Sequence, residues 1–148
     1  VLYKEFVVDS WQINHAFSIG SAAVLLIAAV LNDNELISFS DKIKHYGMMP
    51  LVEVHNEDEM QRVLKMDVCC VGINNRNLKT FETSIETTLN LIRMVPSDIS
   101  VISESGIKNA NDVRILKDAG VNAILVGEHL LKYNEPGAEI KKMLSKLT

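Results

Sequence analysis

Little in this chain marks it as belonging to a special class, and each shortage excludes something. Only two cysteines occur in 148 residues. Cys69 and Cys70 are adjacent in a strand-like run that sends their side chains to opposite faces, so no disulfide is expected between them and a reducing compartment is the default. No basic stripe occurs. The formal charge is −4 with the signs mixed, which offers no basic stripe for nucleic acid. The longest apolar stretch, residues 22–31, falls far short of the roughly 20 residues needed to span a bilayer. No Pro/Gly/Ser-rich segment or shift in composition divides the chain, so a single domain over residues 1–148 is expected. His15, His45 and His129 fall in or beside predicted helices, and no spacing resembles a metal site. Hairpin turns are also missing.

What is there is an alternation. Apolar runs of strand length recur at residues 1–8, 22–28, 49–54, 68–73, 99–103 and 123–126, with amphipathic segments of helical length between them. Five of these segments open on a capping box or a close variant: Asp9 with Gln12, Asn32 with Glu35, Asn56 with Glu59, Thr83 with Glu86, and Asn109 with Asp112. Gly20, Gly47 and Gly120 sit where helices should stop. The period of about 25 residues is that of a βα unit. Strands alternating with helices predict a parallel sheet with right-handed crossovers. The expected fold is α/β, an incomplete TIM (β/α)8 barrel of six βα units, since closure takes eight. Two open sheet edges would follow, and the isolated chain is expected to be unstable or oligomeric.

Such a barrel places its chemistry at the C-terminal ends of its strands. Lys4 stands in an otherwise apolar strand, sharing a face with Leu2, Phe6 and Val8. A lysine there is either a group with a lowered pKa or one that snorkels to solvent. Glu53, between two valines in Leu-Val-Glu-Val-His, is poorly explained as a solvated side chain, although a structural ion pair with Lys4 would account for it. A lysine and a carboxylate in one pocket are also what acid–base chemistry uses. Residues 72–78, Gly-Ile-Asn-Asn-Arg-Asn-Leu, bring Asn74, suited to orienting a hydroxyl or amine, and Arg76, suited to an anion. Residues 103–107, Ser-Glu-Ser-Gly-Ile, place Glu104 at a strand end and then offer Ser105 and Gly106 as a tight loop with free N–H groups. Gly127 and Glu128 repeat the device one unit later, and two such loops near the end of a barrel suggest a phosphate cradle. His55, just past Glu53, reads either as a support behind it or, the favoured reading, as a helix-entry residue. Trp11, Phe17 and Tyr46 read as helix residues packing onto the sheet.

Leu-Tyr-Lys-Glu-Phe, Ala-Val-Leu-Leu-Ile-Ala-Ala-Val-Leu, Leu-Val-Glu-Val-His, Gly-Ile-Asn-Asn-Arg-Asn-Leu, Ser-Glu-Ser-Gly-Ile and Leu-Val-Gly-Glu, in this order, resemble indole-3-glycerol phosphate synthase over essentially the whole chain. The resemblance implies that residues 1–148 correspond to the third through eighth βα units of that lyase. It further implies ring closure of 1-(2-carboxyphenylamino)-1-deoxyribulose 5-phosphate, with loss of carbon dioxide and water, in tryptophan biosynthesis. No metal or organic cofactor is implied. The implied partner is a small phosphosugar substrate, with fusion to or association with other tryptophan-pathway enzymes left open, and the implied compartment is the cytoplasm, or the plastid stroma in a plant. By resemblance Lys4 would protonate the substrate carbonyl, Glu53 would assist proton removal in the dehydration, and Asn74 and Glu104 would orient the amine and hydroxyls. Arg76, Ser105, Gly106, Gly127 and Glu128 would line the phosphate end, with Phe6 and Leu25 as apolar wall.

Two departures stand out. The family's N-terminal helical extension and first two strands, including a Glu-x-Lys pair, have no counterpart here, so the isolated chain is expected to be inactive or impaired. His129 occupies a position where a small residue is expected. A non-catalytic phosphate-binding half-barrel, or another phosphosugar barrel such as an isomerase or a Schiff-base aldolase using Lys4, stands beside the main reading.

Overall fold

The computed structural model describes residues 1–145. Six parallel strands form one sheet in chain order, β1-β2-β3-β4-β5-β6, with six α-helices, which is an incomplete TIM-like α/β fold. The chain falls into two compact units, Val1–Val71 and Gly72–Thr148.

In the first unit β1 (Leu2–Tyr3), β2 (Ala23–Ile27) and β3 (Met49–Val54) alternate with α1 (Ser10–Ser18), α2 (Asp33–His45) and α3 (Glu57–Val63). Leu2 and Tyr3 pair with Ala23 and Val24, and β2 runs on against β3 until Ile27 meets Glu53. The caps explain where the helices begin. Asn32 Oδ1 accepts the Glu35 N–H at 3.0 Å while Glu35 Oε2 accepts the Asn32 N–H at 2.9 Å, and Asp9 with Gln12 closes the same reciprocal box on α1. Their ends are equally local. Gly20 and Gly47 adopt φ of 76° and 71°, and the following residues, Ser21 and Met48, donate back to Ala16 O and Ile43 O, the Schellman pattern. The helices bury Ile13, Leu36, Ile43 and Met60, and the strands bury Val24, Leu26, Val52 and Val54.

In the second unit β4 (Cys70–Asn74), whose first residues precede the unit boundary, is followed by α4 (Glu86–Leu91), β5 (Ser100–Glu104), α5 (Ala110–Asp118), β6 (Ala123–Leu125) and α6 (Pro136–Leu144). Ile107, Val113, Leu116 and Met143 form its buried cluster, with Ile124 and Val126 packed against it. Gly120, at φ 97°, ends α5 by the same device, with Val121 N–H donating to Leu116 O at 3.0 Å.

Three expectations fail. The run at residues 1–8 is a strand only at Leu2–Tyr3. Residues 4–8 leave the sheet, tied instead by Gln12, whose Nε2 donates to Phe6 O at 2.9 Å and whose Oε1 accepts the Val8 N–H at 2.8 Å. Thr83 does not cap α4. That helix starts at Glu86 with no side-chain cap on Ile85, and the Glu86 N–H meets Ser84 Oγ at 3.3 Å. Trp11 and Phe17 do not pack onto the sheet, being 63% and 51% exposed. Instead Trp11 stacks on His15, and Phe17 stacks on Tyr46 of the neighbouring helix end.

Candidate active site

In the first unit, the early end of β1 leaves Lys4 just beyond the strand's C-terminus, and Glu53 is the penultimate residue of β3. Lys4 Nζ lies 3.4 Å from Glu53 Oε2, with side chains 39% and 3% exposed respectively. A buried carboxylate needs hydrogen bonds or opposite charge, and Glu53 has both. His55 stands on its other side, with Nε2 3.2 Å from Glu53 Oε1, near enough for charge attraction but not aligned for a hydrogen bond. His55 Nδ1 in turn lies 3.1 Å from Glu59 Oε2. Burial alone would lower the pKa of His55, but the neighbouring carboxylates of Glu53 and Glu59 prevail and raise it to about 9. Burial of Glu59 works in the opposite sense to its hydrogen bonds with His55, which hold its carboxyl below the ordinary value. Phe6 is 61% exposed beyond β1, whereas Leu25 is buried within β2.

In the second unit, Asn74 and Glu104 are the last residues of β4 and β5, and both are buried. Asn74 Oδ1 accepts the Arg76 N–H at 3.0 Å, a local turn that shapes the loop it opens. Arg76 does not stand open to an anion. Its guanidinium donates to Glu128 and, at 3.4 Å, to Phe81 O. Lys132 reaches Glu128 Oε1 at 2.8 Å, and hydrogen bonds from Lys132 and Arg76, with their charge, pull the Glu128 carboxyl down to about 2.

Ser105 and Gly106 form the expected tight turn, with φ of 62° and 71°. The expectation of free N–H groups fails at Ser105, whose N–H donates to Leu125 O at 3.3 Å. The helix that follows starts only at Ala110, with its first N–H groups taken by Asn109. Gly127 and Glu128 lead into a 3-10 turn, Leu130–Lys132, rather than an α-helix. His129 packs inward on α6, with Nε2 3.1 Å from Glu139 Oε1.

Sequence reasoning passed over Asn75. Its Nδ2 donates to Ser103 Oγ and Ser105 O, each at 3.0 Å. Its Oδ1 accepts from the Thr88 N–H at 3.1 Å and the Thr88 hydroxyl at 2.9 Å. Its backbone N–H donates to Glu104 O at 2.8 Å. One buried amide thus fixes the ends of β4 and β5, the start of α4 and the Ser105 turn. Among the described residues no group of three or more His, Cys, Asp and Glu side chains is disposed to hold a metal ion. No described helix is long and apolar enough to cross a membrane.

A parallel βα sheet carrying a buried carboxylate beside an ammonium at its strand ends is the layout of a TIM-barrel enzyme. A family profile described as indole-3-glycerol phosphate synthase matches residues 1–143, and the chain belongs to that family. It is 47% identical over 145 residues to the indole-3-glycerol phosphate synthase of Paracidovorax citrulli, covering 98% of this chain and 54% of that protein. It is 41% identical over 147 residues to that of Alkaliphilus metalliredigens, covering 99% and 56%. The chain therefore spans about half the length of these relatives and matches their C-terminal part. Its fold is similar to that of 3-hexulose-6-phosphate synthase from Salmonella typhimurium, with a TM-score of 0.83 at 14% identity over 99% of this chain and 72% of that one. KGPDC from Streptococcus mutans gives 0.69 at 11% identity, over 95% and 67%.

Proposed function

We propose that the protein carrying this chain is an indole-3-glycerol phosphate synthase. It would close the ring of 1-(2-carboxyphenylamino)-1-deoxyribulose 5-phosphate with loss of carbon dioxide and water. The observation that carries this reading is the Lys4 ammonium 3.4 Å from the buried Glu53 carboxylate, at strand ends, in a member of this family. The aromatic carbon bearing the carboxylate attacks the ketose carbonyl, and Lys4 delivers a proton to the oxygen that gains charge. Departure of carbon dioxide restores the aromatic ring. Glu53 then assists removal of the proton whose loss accompanies expulsion of the hydroxyl as water. A cation beside a base lets one pocket serve both steps.

Asn74 and Glu104 orient the substrate amine and hydroxyls in this reading. Arg76, Ser105, Gly106, Gly127 and Glu128 serve its phosphate end, and exposed Phe6 supplies apolar wall while buried Leu25 supports it. Binding requires Arg76 to exchange at least part of its pairing with Glu128 for the phosphate. The test is to incubate the protein, at the full length its gene encodes, with the carboxyphenylamino substrate and to follow indole fluorescence together with carbon dioxide release. Both are expected in equal amounts. Binding without either product would overturn the reading in favour of a phosphosugar-binding module, and trapping of Lys4 by borohydride would favour an aldolase.

A further inference from the structure

On a strand, residues two apart point to the same face, so His55, one residue past β3, projects beside Glu53. Its two ring nitrogens face two different carboxylates: Nε2 lies 3.2 Å from Glu53 Oε1, and Nδ1 lies 3.1 Å from Glu59 Oε2. Glu59 is itself fixed. Its Oε2 also accepts the His55 backbone N–H at 2.8 Å, and its Oε1 accepts from Asn56 Nδ2 at 2.6 Å. A helix cap therefore doubles as an anchor for the imidazole. The Nδ1 contact with Glu59 is a hydrogen bond, whereas Nε2 meets Glu53 by charge proximity without hydrogen-bond alignment; a ring between two carboxylates is favoured in its charged form, in keeping with its raised pKa. Of the Glu53 oxygens, Oε1 faces His55 and Oε2 faces Lys4.

We propose that His55 is a positioning residue for Glu53: anchored by Glu59, it sets a positive charge against Oε1 and so orients the carboxylate with Oε2 towards Lys4 and the reacting atoms. The proposal rests on the synthase reading and deepens it. The charged groups concerned are Glu53 on β3, Glu59 on α3 and, across Glu53, Lys4 after β1. When Lys4 has given up its proton, its positive charge is lost from the pair, and the imidazolium still favours the ionised base. A residue serving only to start α3 would need Glu59 but not Glu53.

The experiment compares the full-length protein with its His55→Ala, His55→Gln and Glu59→Gln variants, measuring kcat, KM and melting temperature from pH 5 to 10. His55→Ala is expected to lose about 10- to 100-fold in kcat, the scale of a misplaced catalytic group, with KM within about threefold. The acid limb of its kcat profile should move to higher pH, because removing a neighbouring cation makes a carboxylate easier to protonate. His55→Gln, which retains a donor, should recover part of kcat without restoring the limb, and Glu59→Gln should fall between Gln and wild type. A kcat profile in His55→Ala that superimposes on an active wild type overturns this proposal alone, as does a loss that follows the unfolded fraction with no shift of the limb. A wild-type protein that does not turn the substrate over overturns the synthase reading and this proposal with it.

Discussion

Lys4 Nζ and Glu53 Oε2 stand 3.4 Å apart, one side chain more than a third exposed and the other closed off from water. The asymmetry separates stability from chemistry. Removing one partner of a buried pair is costly when the other charge is left alone, but the Lys4 end is screened by solvent and His55 still faces Glu53 if Lys4 is removed. Lys4→Met is therefore expected to leave the unfolding free energy within about 1 kcal/mol of wild type while lowering kcat by about 10²- to 10⁴-fold. Denaturant titration and steady-state kinetics on the same preparation check both halves.

Asn75 is the reverse case, a buried side chain whose value is structural. Truncation to Ala removes the partner of the Thr88 N–H and the Ser105 carbonyl, and leaves the Thr88 and Ser103 hydroxyls only their 2.7 Å bond to each other. Asn75→Ala is expected to cost about 3 kcal/mol. Thr88→Val, which removes only one hydroxyl, should cost about half of that. Urea unfolding midpoints at constant slope give both values.

The His55 cluster makes stability depend on pH on both sides. The pKa of His55 is raised from 6.5 to about 9 in the folded protein, so its contribution is complete below pH 6.5 and is lost as the pH rises through about 9. Glu59 is held below its ordinary 4.5, so its contribution is complete above pH 4.5 and is lost as the pH falls. Stability from this cluster should be greatest between those limits and decline from pH 7 to 9. Unfolding free energies at pH 5.5, 7.5 and 9 should show the decline in wild type and a flatter course in His55→Gln.

Gly106 combines a φ of 71° with a hypothetical Cβ only 3.0 Å from Thr83 Cβ. Gly106→Ala is expected to destabilise by about 1–2 kcal/mol from backbone conformation alone, with the Thr83 contact adding to it. Ser105→Gly, at the adjacent φ of 62°, relieves strain of the same kind and should not destabilise through the backbone. Thermal melts of the two variants separate these effects.

Much of the fold was legible because its signals are local. Capping boxes at Asp9 and Asn32 and glycine stops at Gly20, Gly47 and Gly120 act within one turn of chain, and the structure forms them as read. The first strand misled because apolar alternation through Val8 does not show where pairing stops: β2 runs for five residues but pairs only Ala23 and Val24 with Leu2 and Tyr3, and Gln12 draws residues 6–8 into the start of α1. Thr83 looked like a cap by spacing alone, whereas Ser84, one residue later, meets the Glu86 N–H.

At the site, the pairing of Lys4 with Glu53 was readable because an ionised residue within an apolar run demands a partner. Asn75 was hidden behind Asn74. Alternation from Cys70 pairs Asn74 with Gly72, and nothing in the sequence shows that the next residue reaches Thr88 and Ser103 across loops of more than ten residues. His55 was read as entering a helix, and it does so through Glu59. Its contact with Glu53 comes from strand geometry acting together with that cap, and neither signal alone implies it.

The most direct test of the account is a double-mutant cycle in kcat on the full-length protein, using Lys4→Met, Glu53→Gln and the two combined. Groups that act as one acid–base unit are strongly non-additive. The double variant is expected to be no slower than about the slower single variant. Losses that multiply, or a Lys4→Met protein with unchanged kcat, would contradict the account.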